Sequence, residues 1–212
     1  MRGTERVFVV EAVRSVLATA DAPVEVIVVA GRETPNATIT QLEALAPAGQ
    51  VRCVAFDAPF NFSATVNLGA SHARGPQLLL LNDDTEVIGA DWLVRMLDAA
   101  ASGDRVGAVG ARLLFEDGTL QHGGHTYRTS LDHIGFGLPG DFCSGFPGNY
   151  NDVDYCLKLR AAGYHIVYEP DAVLWHFESR SRVAGIRPDE IELIQRRWLT
   201  ELIDDPFTPV VV

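Results

Sequence analysis

Cationic side chains are scarce in this sequence: 17 Lys and Arg stand against 28 Asp and Glu, a formal net charge of −11 over 212 residues. A surface of that sign repels nucleic-acid phosphates and anionic lipid, so a DNA- or RNA-binding role is excluded as an expectation. Any anion the protein handles must be met by a local cation, either a few arginines or a metal. Cysteine is scarce too. Cys53, Cys143 and Cys156 are odd in number and form no CxxC pair, which excludes a disulfide scaffold or zinc ribbon and suits a reducing, cytoplasmic setting. No apolar run approaches the ~18 residues of a membrane span, and the first six residues carry no long apolar signal region. GxSxG and GxxxxGKS/T are both missing, which argues against a serine hydrolase or a P-loop NTPase. GxGxxG occurs once, at 135–140, but Pro139 spoils the turn and no strand–turn–helix surrounds it.

What is present is an alternation of β-rich runs and helical patterns, the mark of an α/β layer fold. Residues 7–10 read as a brief strand running straight into a helix with Val13, Val16 and Leu17 on one face. Strands are expected at 24–29 and 51–56, and helices at 40–45 and 65–74. Residues 77–81 (Gln-Leu-Leu-Leu-Leu) show no polar alternation, as in a central strand buried on both faces. Trp92, Leu93, Met96, Leu97 and Ala100 make an amphipathic helix face; 106–114 is a strand and 116–119 a turn. Glycines dominate 122–150. Helical order returns with Val153, Cys156, Leu157 and Ala161, and two short strands follow, at 165–168 and 172–175, separated by Pro170. The chain reads as a single domain over 1–212, with 187–212 a C-terminal helical tail.

Chemistry concentrates at three places. Asn82-Asp83-Asp84-Thr85 follows the most apolar run. Ligands of open α/β sheets bind beyond strand carboxyl ends, and adjacent carboxylates there repel each other until a hard divalent cation relieves them. The same four residues would also suit a plain turn and helix entry. Asp152 and Asp154 open a helix, where carboxylates complement the helix dipole. Two apart, they cannot share a face, so they should do different jobs. His176 follows the strand at 172–175, and Ser179-Arg180-Ser181-Arg182 gathers scarce positive charge in a form suited to phosphate oxygens. His122 and His125, also capable of chelation, lie among glycines that offer no rigid support.

Taken in order, these segments resemble family 2 glycosyltransferases of the GT-A fold, in the bacterial branch that builds O-antigen and other surface polysaccharides. The match is carried by Phe60 to Ala70, by Leu78 to Val87 with Asn82-Asp83-Asp84, and by Val106 to Leu114 with Asp117-Gly118-Thr119-Leu120-Gln121-His122-Gly123-Gly124. Asn151 to Arg160, Gly163-Tyr164 and Val173 to Ser179 complete it. The resemblance implies a GT-A-like α/β fold with a mixed, mostly parallel sheet flanked by helices. It implies a nucleotide-diphosphate sugar donor, a saccharide or lipid-linked saccharide acceptor, a divalent metal (Mn²⁺ or Mg²⁺) and inversion at the anomeric carbon. By that resemblance Asp84 and His176 are metal ligands and Asp152 is the catalytic base. Asn67, Asn82, Asp83, Arg180 and Arg182 bind the donor, Asn82 standing where the family has the first Asp of DxD. A cytoplasmic location at the inner face of the cell membrane is implied as well.

Two family segments are not recognisable: the first strand with its nucleotide loop, and a core strand with a Gly-Gly-Phe stretch between 125 and 151, of which Gly145-Phe146 is the nearest trace. Ala30 also replaces the usual Asp at the end of the second strand. The chain therefore reads as shortened near the active crevice. A catalytically inactive binding or scaffold module is the alternative, and an unrelated nucleotidyltransferase using strand-end carboxylates and metal is the third reading.

Overall fold

The structure, a computed structural model, describes residues 7–122, 150–177 and 188–203. Among them the order is α1 (Phe8–Thr19), β1 (Val26–Gly31), α2 (Asn36–Glu43), β2 (Val51–Phe56), α3 (Phe62–His72) and β3 (Thr85–Ile88). Then come α4 (Trp92–Ala101), β4 (Val106–Leu114), β5 (Leu120–His122), α5 (Asn151–Ala161), β6 (His165–His176) and α6 (Pro188–Ile203). It is a mixed α/β arrangement with sheets flanked by helices. The strands form two sheets, a parallel β1–β2 pair and a four-stranded sheet ordered β3-β6-β4-β5. The longer ladders, β1–β2 and β4–β6, are parallel, and the short ones, β3–β6 and β4–β5, are antiparallel.

Three expectations are corrected. Residues 7–10 are no strand: α1 begins at Phe8, and Val10, Val13 and Val16 are buried along one side. The β-branched side chains there are accommodated because the helical spacing of those three valines offers one continuous face to bury. Residues 77–81 are not a buried central strand either. Among the described residues no strand pairs with them, Leu79 is exposed, and pairing starts only at Thr85. Leu81 does reach the core, but with Leu79 exposed the run is not buried on both faces as a central strand would be. The third correction merges the two strands around Pro170 into β6. Its ladder with β4 jumps from Glu169 to Val173, so Pro170 sits in an irregularity where no ladder donor is needed.

The two sheets are joined by α1. Val10 and Val13 pack with Leu42 and Val51 on the β1–β2 side. Val16 packs with Val87, Trp92 and Leu174 on the other. Polar contacts follow the same line: Ser15 Oγ accepts from the Val87 backbone at 3.1 Å, and Thr19 Oγ1 accepts from Trp92 Nε1 at 3.0 Å. Helix starts are capped in two ways. Asn61 caps α3 by accepting from Ala64 N at 3.0 Å. At α4, Asp91 is left-handed and makes no cap bond, and Asp21, just past α1, accepts from Val94 N instead. A third cluster (Val153, Leu157, Ile194 and Leu202) packs α6 onto α5.

Glu25, one residue before β1, holds the open end of the small sheet. Its carboxylate accepts from Arg52 of β2 at 2.8 Å, and from the Arg74 backbone and Nε at 2.7 and 2.9 Å. Those bonds, the Arg74 backbone one foremost, hold its carboxyl at about 2 instead of 4.5. A depressed carboxylate pKa stabilises the fold above the unfolded value and stops doing so as pH falls through the folded one. Denaturant titrations should therefore show stability falling between pH 4.5 and about 2. Glu25→Gln should flatten that acid limb and cost ~1 kcal/mol at neutral pH, since the network is partly solvated.

Candidate active site

The ladder between β3 and β6 builds the site. Thr85 pairs with His176, and the Phe177 N–H donates to the Asp84 carbonyl at 2.9 Å, so the pairing continues one residue past the strand. The Asp84 side chain is thereby set beside the His176 ring, with Asp84 Oδ1 3.2 Å from His176 Nε2. Asn82 turns back over the pair: its backbone carbonyl accepts from Thr85 Oγ1 at 2.8 Å, and its Nδ2 donates to His176 Nε2 at 3.2 Å. On the far side of the ring, His176 Nδ1 donates to Gln121 Oε1 of β5 at 2.7 Å. Asp84 and Thr85 are buried. Asp83 is open to solvent on its outer side. Burial of its inner side, then the neighbouring Asp84 charge, push its carboxyl above the usual range.

The donor set at this corner fits a divalent cation. With Asn82 donating to it, Nε2 presents a lone pair, and Asp84 Oδ1 presents another only 3.2 Å away. Two acceptors so placed repel until positive charge lies between them, a role that a proton on Nε2 or a metal cation can fill. Their separation is close to the ~3 Å between neighbouring ligands that each lie about 2.1 Å from an octahedral ion. Among the described residues no three His, Cys, Asp or Glu side chains gather around one ion. Two protein ligands nonetheless suffice for a cation that keeps waters and shares itself with substrate phosphates.

Asp152 and Asp154 do separate jobs, as their spacing requires. Helix α5 starts after Tyr150, which is left-handed (φ 58°) and gives no side-chain cap. Asp152 Oδ1 accepts from its neighbour Val153 N at 2.8 Å, and its charge adds to burial in pushing the Cys156 thiol up to about 12. Asp154 is wholly buried and belongs to the scaffold. It accepts from Trp198 Nε1 at 2.8 Å and from Arg197 at 3.1 and 3.2 Å, and pairs with Lys158 one turn along. Of these α6 partners, Trp198 is itself the residue that leaves helical geometry (φ −130°), and Arg197 precedes it. Among the described residues no metal-ligand cluster includes Asp152.

Of the other residues singled out from sequence, Asn67 lies on α3 with its Oδ1 buried and unpartnered among the described residues. Arg180 and Arg182 lie outside the described residues, as do His125 and the 135–140 glycines. His122 is in β5, opposite Leu113. Two contributors were missed: Gln121, and the Arg197–Trp198 step that holds Asp154. Gln121 stood inside a quoted motif, but only the hairpin of β4 and β5 shows that it reaches His176.

A mixed α/β chain with an acidic strand-end corner completed by a histidine is the outline of a GT-A-like transferase, and comparison gives the family directly. The family described as Glycosyl transferase family 2 matches residues 4–154. The chain belongs to that family. It is also 33% identical over 201 residues to "Uncharacterized protein y4gI" of Sinorhizobium fredii (strain NBRC 101917 / NGR234), covering 74% of this chain and 22% of that protein. It is 30% identical over 226 residues to "O-antigen biosynthesis protein RfbC" of Myxococcus xanthus, covering 87% of this chain and 18% of that protein. The chain thus spans about a fifth of the length of these relatives.

The division between the two aspartates is open to a stability measurement. Asp154→Ala should cost ~3 kcal/mol in chemical denaturation, because it removes the buried carboxylate that Arg197, Lys158 and the Trp198 N–H share. Asp152→Asn should stay within ~1 kcal/mol of wild type.

Proposed function

We propose that the chain is an inverting, metal-dependent glycosyltransferase that moves a sugar from a nucleotide-diphosphate donor to a hydroxyl acceptor, a saccharide or lipid-linked saccharide, in polysaccharide synthesis. The observation that carries this reading is the Asp84–His176 corner, two ligand atoms 3.2 Å apart at the end of an acidic turn. Family membership and the likeness to a protein named for O-antigen biosynthesis support it.

Each residue has a task in this reading. Asp84 and His176 hold Mn²⁺ or Mg²⁺. That ion, when bound, offsets the negative charge growing on the departing diphosphate. Asp152 takes the proton of the acceptor hydroxyl as its oxygen attacks the anomeric carbon. The bond from that carbon to the diphosphate breaks with its electron pair leaving on the diphosphate oxygen, and configuration inverts. Asn82 and Asp83 border the donor beside Asp84, and Arg180 and Arg182 supply cationic contacts to its phosphates. Asn67, whose carbonyl oxygen is buried without a partner among the described residues, faces the nucleotide from α3. No helix among the described residues is long and apolar enough to cross a membrane. We place the protein in the cytoplasm, docked at the inner membrane face where lipid-linked acceptors are found.

Two observations favour a second reading, a shortened module that binds without turning over. Among the described residues the apolar run at 77–81 lacks a strand partner and the strands form two sheets. In addition, the 226-residue match to the O-antigen protein is longer than this 212-residue chain, so the relative has residues inserted within the match.

Calorimetric titration with UDP, dTDP and GDP, with and without Mn²⁺, tests both. Metal-dependent binding of one diphosphate with transfer from its sugar supports the transferase; binding without transfer supports the module; preference for a triphosphate contradicts both. Asp84→Ala should abolish the metal-dependent part of binding. Asp152→Asn should leave binding nearly intact and lower kcat by ~10²-fold or more. Unchanged turnover would move the base elsewhere.

A further inference from the structure

Gln121 is the one side chain on His176 that the site's chemistry leaves unexplained. Its Oε1 is 2.7 Å from His176 Nδ1, while its own Nε2 is buried with no partner among the described residues. A buried amide donor left unpaired is costly, and an apolar residue at 121 would avoid it. The cost is tolerated where Oε1 does something an apolar side chain cannot. A carbonyl oxygen can only accept, so it fixes the ring proton on Nδ1. Asn82 agrees from the other side, since its Nδ2 donates to Nε2 and requires a lone pair there. Both neighbours select the tautomer whose Nε2 lone pair faces Asp84 Oδ1.

We infer that Gln121 is a positioning residue for metal binding: through Nδ1 it holds the His176 ring in the tautomer and orientation that present Nε2 as a ligand beside Asp84. This rests on reading Asp84 and His176 as metal ligands. Partners of this kind, on the far nitrogen of a ligating imidazole, govern ring orientation and ligand basicity. Gln121 is well placed for it because β5 pairs with β4, and β4 with β6, so the hairpin and the strand bearing His176 move as one sheet.

The test reads Mn²⁺ binding by electron paramagnetic resonance, using Mn²⁺ alone, together with ¹⁵N spectra of the His176 ring at a pH where it is neutral. Wild type should show the Nδ1–H form. Gln121→Leu should weaken Mn²⁺ binding ~10–100-fold and let the Nε2–H form appear. Its melting temperature should stay within about 3 °C of wild type, because the lost bond and the relieved amide offset each other. Gln121→Glu, which keeps an acceptor at the same place, should bind within about threefold of wild type; Gln121→Met replaces the Leu variant if that one fails to fold. Wild-type Mn²⁺ affinity in the apolar variant, or an Nε2–H ring in wild type, would overturn the role of Gln121 while leaving the ligand pair standing. If neither wild type nor His176→Ala binds Mn²⁺, the ligand pair itself is wrong, and the role of Gln121 falls with it.

Discussion

The register between β3 and β6 is the constraint on which the site depends. Thr85 lies opposite His176, and one further backbone bond, from Phe177 to Asp84, extends the pairing into the acidic turn. A slip of one residue would turn His176 to the other face of the sheet and part it from Asp84. The slip is opposed by burial: Val87 and Leu174 are partners in the same ladder and both sit in the main core with Val16 and Trp92. Packing on one side of a four-residue strand thus sets a 3.2 Å contact at its end.

Around that ladder the chain uses polar contacts as fasteners. Helix α1 spans the two sheets with valines at one end and with Ser15 and Thr19 at the other. Glu25 closes the small sheet with two arginines. Asp154 fastens α6 to the first turn of α5, the turn that carries Asp152. In a protein of net charge −11, three of the 16 arginines, Arg52, Arg74 and Arg197, are engaged by the carboxylates of Glu25 and Asp154. The excess of 28 acidic over 17 basic side chains repels an anionic ligand, and a bound cation offsets that repulsion locally.

Local pattern carried much of this. The strand at 24–29 was legible because a β-branched run ended at Ala30-Gly31, and the helix from Trp92 because its apolar face repeats at helical spacing. Residues 77–81 were misread because composition reports that a segment is apolar, not that a partner strand exists beside it. Pro170 was read as a break because nothing local shows that the ladder skips there. At the site, Asp84 and His176 were paired by resemblance across 92 positions of chain. Gln121 and the Arg197–Trp198 contacts were invisible, since each acts only through sheet register or through a helix more than 40 residues from its partner.

The central claim is that Asp84 and His176 share one divalent ion. Anomalous diffraction from Mn²⁺-soaked crystals examines it most directly. A single strong peak about 2.1–2.3 Å from both Asp84 Oδ1 and His176 Nε2 is the expected result. A peak at Asp83 or on another surface, with Asp84 and His176 still in direct contact, would contradict it.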